Sequence, residues 1–161
     1  MKKNVILLLS MVFVLGCGDH KESETAFQGV TEKKDYTAQG MQYLGQSDIN
    51  NAIRSFDAAI KQDPRNSKNY VVLGEVYMRL GNYTSAVDSF GAATKVDPNN
   101  ADAFYLLAVS RNLQGYKDEA VKAAQRSIEL YMQNKDEEKF KRSVLLMKSL
   151  TAEEATPQAV K

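Results

Sequence analysis

The chain has 161 residues, 43% hydrophobic and 25% charged, with 21 basic against 20 acidic side chains and a formal net charge of +1. That length suits one globular domain, and the even charge lacks the basic excess with which nucleic-acid binders neutralise phosphates, so no nucleic-acid partner is expected. One Cys and one His cannot build a disulfide framework or a Cys/His zinc site within a single chain.

Met1-Lys2-Lys3-Asn4 precedes an apolar run from Val5 to Leu15, which ends at Gly16-Cys17. A basic start, a short apolar stretch and small residues at its close read as a secretory signal peptide over 1–16. The run falls short of the roughly 20 residues that span a bilayer. Val14-Leu15-Gly16-Cys17 resembles the lipobox of bacterial lipoproteins, with Leu15 where Ala or Ser is more usual. The resemblance implies cleavage before Cys17 and attachment of lipid to its sulfur, with acyl chains such as palmitate. Two or more such chains anchor stably, at about 0.8 kcal/mol per buried methylene. In enteric lipoproteins an Asp directly after the Cys favours the inner membrane. Here Gly18 follows and Asp19 comes second, which implies an envelope protein on the outer membrane, facing the periplasm.

Residues 17–32 then form the lipidated Cys and a flexible tether: the stretch is polar, lacks helical apolar periodicity and holds the lone His20. As a coil its ends would lie on the order of 20 Å apart, enough to lift a small domain off the headgroups. A solitary linker histidine is read as solvated. Without Lys2 and Lys3 the mature chain carries 19 basic and 20 acidic residues.

An internal period dominates the rest. Tyr36, Tyr70 and Phe104 are spaced by 34 residues, as are Gly40, Gly74 and Ala108, and Ala52, Ala86 and Ala120. Tyr43 and Tyr77, Phe56 and Phe90, Ala59 and Ala93, and Pro64 and Pro98 pair at the same spacing. A fixed period of this length marks stacked supersecondary units. Each unit carries two helical apolar stripes, parted at Ser47-Asp48, Gly81-Asn82 or Gly115-Tyr116. Gly74 and Ala86 are small enough for paired helices to approach closely, with Tyr77 and Phe90 filling the space beside them. Pro64 and Pro98 stop the second helices, because proline lacks the amide donor and clashes with the preceding turn. Asn66 or Ser67, and Asn100, stand ready as caps for the helices that follow.

The central unit, Tyr70-x2-Leu73-Gly74-x2-Tyr77, then Ala86-x3-Phe90 and Pro98, resembles the tetratricopeptide repeat, with Tyr70 in place of the usual Trp. The resemblance implies an all-α chain, a right-handed superhelix (α-solenoid) of three helix pairs at 33–66, 67–100 and 101–134. The ends depart from the pattern. Gln39 stands where the other units have Leu73 and Leu107, as befits an outer helix. Met132 replaces the third proline, so the last paired helix is expected to run on to Gln133. Asn134-x-x-Glu137 reads as a capping box, followed by Phe140, Val144 and Met147 at helical spacing. A capping helix is therefore predicted over 135–150, covering the last unit as solenoid ends require, with 151–161 a disordered tail.

In this family the first helix of each unit lines the concave face. Carried over by position, the resemblance places Lys34, Thr37, Met41, Leu44 and Gly45 there from the first unit. The second supplies Lys68, Val71, Glu75, Met78 and Arg79, and the third Asp102, Tyr105, Val109, Asn112 and Leu113. Apolar side chains mixed with charges of both signs suit a peptide or helix bearing an apolar stripe, and Met41 and Met78 are adaptable packers. Members that clamp the C-terminal carboxylate of cytosolic chaperones use Lys, Asn and Arg at five places. Here those hold Thr37, Met41, Val72, Asp102 and Leu106, so that subtype is not expected.

The expected function is a membrane-anchored scaffold or adaptor of the bacterial envelope. It would hold a protein or peptide partner in its concave groove, in support of a pilus, secretion or cell-wall complex. The alternative is a ligand-binding accessory of an envelope transport system, which needs an enclosed apolar pocket. No cofactor, metal or catalytic residue is predicted. The folded body has no His, no free Cys remains after lipidation, and no glycine-rich phosphate loop is present. The adjacent carboxylates Glu137-Glu138 and Glu153-Glu154 would point about 100° apart on a helix and read as solvated surface.

Overall fold

A computed structural model describes residues 34–152. They form seven helices: α1 (Tyr36–Gly45), α2 (Ile49–Gln62), α3 (Ser67–Arg79), α4 (Tyr83–Val96), α5 (Ala101–Leu113), α6 (Lys117–Gln133) and α7 (Glu137–Ala152). No strand occurs among the described residues. The expected signal peptide, the Cys17 lipid site, the tether with His20 and positions 153–161 of the expected tail lie outside the described residues.

Short polar side chains set most of the helix starts by accepting hydrogen bonds from otherwise orphaned first-turn amides. Asp35 accepts from the Ala38 amide at 2.9 Å, Asp48 from Asn51 at 3.2 Å, Asn82 from Ser85 at 3.1 Å and Asn100 from Ala103 at 3.0 Å. Between the two candidates at the start of α3, Asn66 is the cap, bonding the Lys68 amide at 3.2 Å, while Ser67 is buried as the first helical residue. The Tyr116 side chain makes no cap bond at the start of α6. Before Pro64 and Pro98 an aspartate closes the turn: Asp63 accepts from the Arg65 amide at 3.2 Å and Asp97 from the Asn99 amide at 3.0 Å. Where Met132 replaces proline, α6 continues to Gln133 and reaches 17 residues against 14 for α2 and α4.

The turns inside the hairpins share one geometry. Ser47, Gly81 and Gly115 occupy equivalent places with φ of 59°, 71° and 85°, the left-handed region that reverses the chain after a helix. Lys135, with φ of 58°, repeats that geometry between α6 and α7. This corrects the predicted capping box. Asn134 ends α6, and it is Asp136 that accepts from the Lys139 amide at 3.1 Å to start α7. The left-handed residue must precede the cap, which moves the cap two places on. The helix accordingly spans 137–152 rather than 135–150, and takes in the first two residues assigned to a disordered tail.

Packing follows the period with one exchange. A Cβ on Gly40 would lie 2.8 Å from Phe56 Cζ, and one on Gly74 only 2.6 Å from Phe90 Cε1. The absent side chain thus makes room for an aromatic ring from the partner helix, rather than for its backbone. Phe56 and Phe90 are fully buried. In the third hairpin the pair becomes Ala108 and Ala124, both at 0% exposure. There Leu150 of α7 joins the cluster formed by Ala108, Ala120, Ala123 and Ala124, flanked by Leu146 and Met147. The capping helix thus supplies the bulk that a ring supplies in the first two units. Phe140, Val144 and Met147, expected at helical spacing, are half-buried, while Ser143 and Leu150 are the fully buried residues of α7.

Candidate functional site

Apart from Lys34, which precedes α1, the predicted inner-face residues lie on the odd-numbered helices α1, α3 and α5, and two clefts run beside these helices. The first, about 360 Å³, lies between α1 and α3 and is lined by Met41, Leu44, Gly45, Val72, Glu75, Val76 and Arg79. The second, about 340 Å³, is formed by Val71 and Glu75 of α3, Asp102, Tyr105 and Leu106 of α5, Tyr131 at the end of α6, and Lys139 and Arg142 of α7. Glu75 lines both. The first cleft is mainly apolar with Glu75 and Arg79 at its wall, the second carries four charged side chains among its eight lining residues, and Met41 is exposed.

Other predicted residues do different work. The Thr37 hydroxyl donates to Asn69 Oδ1 at 2.8 Å, stitching α1 to α3, and Asn69 is buried. The Lys34 ammonium lies 5.4 Å from the centre of the Tyr36 ring, a cation–π distance. Lys68 and Leu113 are exposed, and Met78, Val109 and Asn112 are half-buried outside the residues that line either cleft.

Asp102 has a structural partner set that the period could not disclose. The Tyr131 hydroxyl donates to its Oδ1 at 2.6 Å, and Lys139 Nζ reaches Oδ2 at 3.1 Å and Oδ1 at 3.0 Å. Three helices, α5, α6 and α7, meet at this carboxylate. Partial burial pushes the Asp102 carboxyl upward, but the Tyr131 hydroxyl and the Lys139 ammonium outweigh it and hold it below the ordinary carboxylate value. Burial first, then the bond to Asp102, pushes the Tyr131 phenol far above its usual value. Arg142 pairs with Glu138 at 3.2 Å. Lys139 and Arg142 lie beyond the third unit, and Tyr131 stands where the first two units have Asp63 and Asp97, so no 34-residue correspondence points to them.

A hollow of about 480 Å³ sits at the α6–α7 turn between Tyr131, Met132 and Phe140, with Lys135, Asp136, Glu137 and Lys141 around it. It contains none of the predicted groove residues. Among the described residues no group of three His, Cys, Asp or Glu side chains is arranged to hold a metal ion. No helix among them is long and apolar enough to cross a membrane. What the arrangement offers chemically is a partly apolar trough with isolated charges, suited to holding a chain segment.

A model of the tetratricopeptide repeat family matches residues 37–90 and 71–135. Among solved structures, the type III secretion translocator chaperone SycD of Yersinia enterocolitica is similar with a TM-score of 0.69 at 16% identity, covering 75% of this chain and 84% of that one. PcrH, in complex with the chaperone-binding region of PopD, is similar with a TM-score of 0.68 at 20% identity, over 74% and 90% of the two chains. The first repeat domain of Spaghetti, bound to the HSP90 peptide SRMEEVD, gives a TM-score of 0.66 at 19% identity, over 75% and 91%. At these identities the likeness is one of fold. No curated protein sequence matches the chain significantly.

Proposed function

Because the chain belongs to the tetratricopeptide repeat family, we propose that it is an adaptor of the bacterial envelope, held to a membrane by lipid on Cys17, that takes a peptide segment of a partner protein along its inner wall. The observation that carries this reading is the pair of clefts that share Glu75, a trough across α1, α3 and α5 lined by the exposed Met41 and the half-buried Leu44, Val71, Val72, Tyr105 and Leu106 beside charged side chains. Similar folds hold protein segments: SycD is a translocator chaperone, PcrH is in complex with the chaperone-binding region of PopD, and the Spaghetti domain is bound to an HSP90 peptide. The residues predicted for a carboxylate clamp are absent here, so a different peptide chemistry is expected in this trough. No catalytic role is proposed, since the trough gathers no nucleophile with an adjacent base.

The test is retention of envelope proteins by the purified chain from detergent-solubilised membranes, against a Met41→Asp/Tyr105→Asp variant matched for melting temperature. Loss of the retained partner in the variant is expected. Equal retention would move the site off the inner wall.

A further inference from the structure

The helix α7 sits on the third hairpin as α3 sits on the first, but without the leucine that anchors α3. Asn66, Asn100 and Asp136 cap α3, α5 and α7. Counted from those caps, Tyr70, Phe104 and Phe140 share one place, and Leu73, Leu107 and Ser143 share another. The packing keeps that register: Leu146 and Met147 lie against the third hairpin as their counterparts Val76 and Tyr77 lie against the first. At the second place α3 packs Leu73 with Ala52 and Phe56 of α2. There α7 has Ser143, at 0% exposure, and among the described residues its hydroxyl has no hydrogen-bond partner. The exchange forgoes the burial of a leucine and strands a polar group away from water, and each weakens the docking.

What remains to hold α7 is chiefly Leu150, buried beside Ala120 and Ala124, and the Lys139–Asp102 ion pair. That pair is half-exposed, so it contributes little. Whereas α3 is clasped between α2 and α4, α7 meets the body through α6 and α5. Its far side is open, with Lys141, Leu145 and Lys148 exposed. Helices of a solenoid draw their stability from their neighbours. We infer that α7 is a displaceable cap, which leaves the third hairpin as a unit while the other helices stay folded. Release withdraws Lys139 and Arg142 from the second cleft, frees the Asp102 carboxylate and uncovers the apolar face around Leu107, Ala108 and Ala124. The second cleft therefore has a closed and an open form. The consequence for a ligand rests on the inner wall being the binding face; the release itself does not, and the test reads the release.

Hydrogen exchange of the full chain, followed by mass spectrometry, compares α7 with α3 to α6. Amides from Phe140 to Leu150 should exchange together, about a hundredfold faster than those of α3 to α5. Ser143→Ala removes the stranded hydroxyl and should slow α7 alone, by about tenfold. Ser149→Ala, on the exposed side of α7, is the control for helix propensity and should change exchange much less. Exchange of α7 only with the whole domain, a gradient spreading inward from Ala152 with Phe140 as slow as α5, or an equal response to the two serine changes would each overturn the inference. Thiol labelling gives a second reading in a Cys17→Ala background. Ala120 and Ala86 are matching positions, both at 0% exposure. Ala120→Cys, packed under α7, should react about a hundredfold faster than Ala86→Cys in the second hairpin; equal rates would contradict release.

Discussion

The ring of Phe90 lies where a side chain on residue 74 would be: a Cβ there would approach Phe90 Cε1 to 2.6 Å. The third hairpin answers the same steric problem with Ala108 opposite Ala124. The glycine and the ring are therefore a matched pair. Gly74→Ala should destabilise the wild type by about 1–3 kcal/mol through overpacking, despite the better helix propensity of Ala. In a Phe90→Ala background, itself costing about 3–5 kcal/mol, the same change should be neutral or stabilising. Urea denaturation of the four proteins of this cycle measures the coupling; an equal cost in both backgrounds would contradict the pairing.

Tyr131 and Asp102 make stability depend on pH at both ends. The Asp102 carboxyl is held below its ordinary value, so its contribution is present above the unfolded carboxylate range and is lost as pH falls through the folded value. The Tyr131 phenol is raised, so its contribution is complete below the unfolded phenol value, near 10, and is lost as pH rises towards the folded one. Tyr131→Phe should reduce the alkaline loss, to which the raised Tyr77 phenol also contributes, and cost about 1–2 kcal/mol at neutral pH, since the lost bond is to a charged acceptor. Thermal melts from pH 3 to 11 check this; an unchanged alkaline limb in the variant would refute it.

Ser47 and Lys135 carry φ of 59° and 58° without being glycine, where the equivalent Gly81 and Gly115 have no such strain. Ser47→Gly and Lys135→Gly should each raise stability by about 0.5–1 kcal/mol, because relief of the left-handed strain exceeds the added chain entropy of glycine. Chemical denaturation reads the gain. A loss at both positions would show that those side chains matter more than their backbone.

On the proposed lipidation of Cys17, Cys17→Ala should leave the melting temperature of the body unchanged while releasing the protein from the membrane fraction, because that one sulfur would carry every acyl chain. Carbonate-washed membranes followed by immunoblotting decide it; continued sedimentation of the variant with the membranes would remove the lipid anchor from the account.

Most of the helices were legible in the sequence because the period repeats local rules: Asn or Asp caps, a left-handed turn residue inside each hairpin, a proline after α2 and α4. The inner-wall positions Met41, Leu44, Val71, Glu75, Asp102 and Tyr105 do line the clefts. What escaped was everything outside the repeat. The register of α7 cannot be set from a pattern it does not share: its cap is Asp136 where the spacing points to Asn134, and no repeat position points to Lys139 and Arg142, which reach the second cleft. The sequence Asn134-Lys135-Asp136 does parallel Gln46-Ser47-Asp48, and that likeness was the available signal. Thr37 was read as a contact for a ligand, whereas it bonds the buried Asn69. A single hydroxyl cannot declare from sequence whether it faces a partner or a neighbouring helix.

Site-specific photocross-linking in intact cells addresses the inner wall most directly. A benzophenone amino acid placed at Met41 or Tyr105 should yield a discrete adduct with a partner protein, while the same group at the exposed Asp88 of α4 or Lys122 of α6 should yield none. Adducts that form from Asp88 and Lys122 but not from Met41 and Tyr105 would contradict the account.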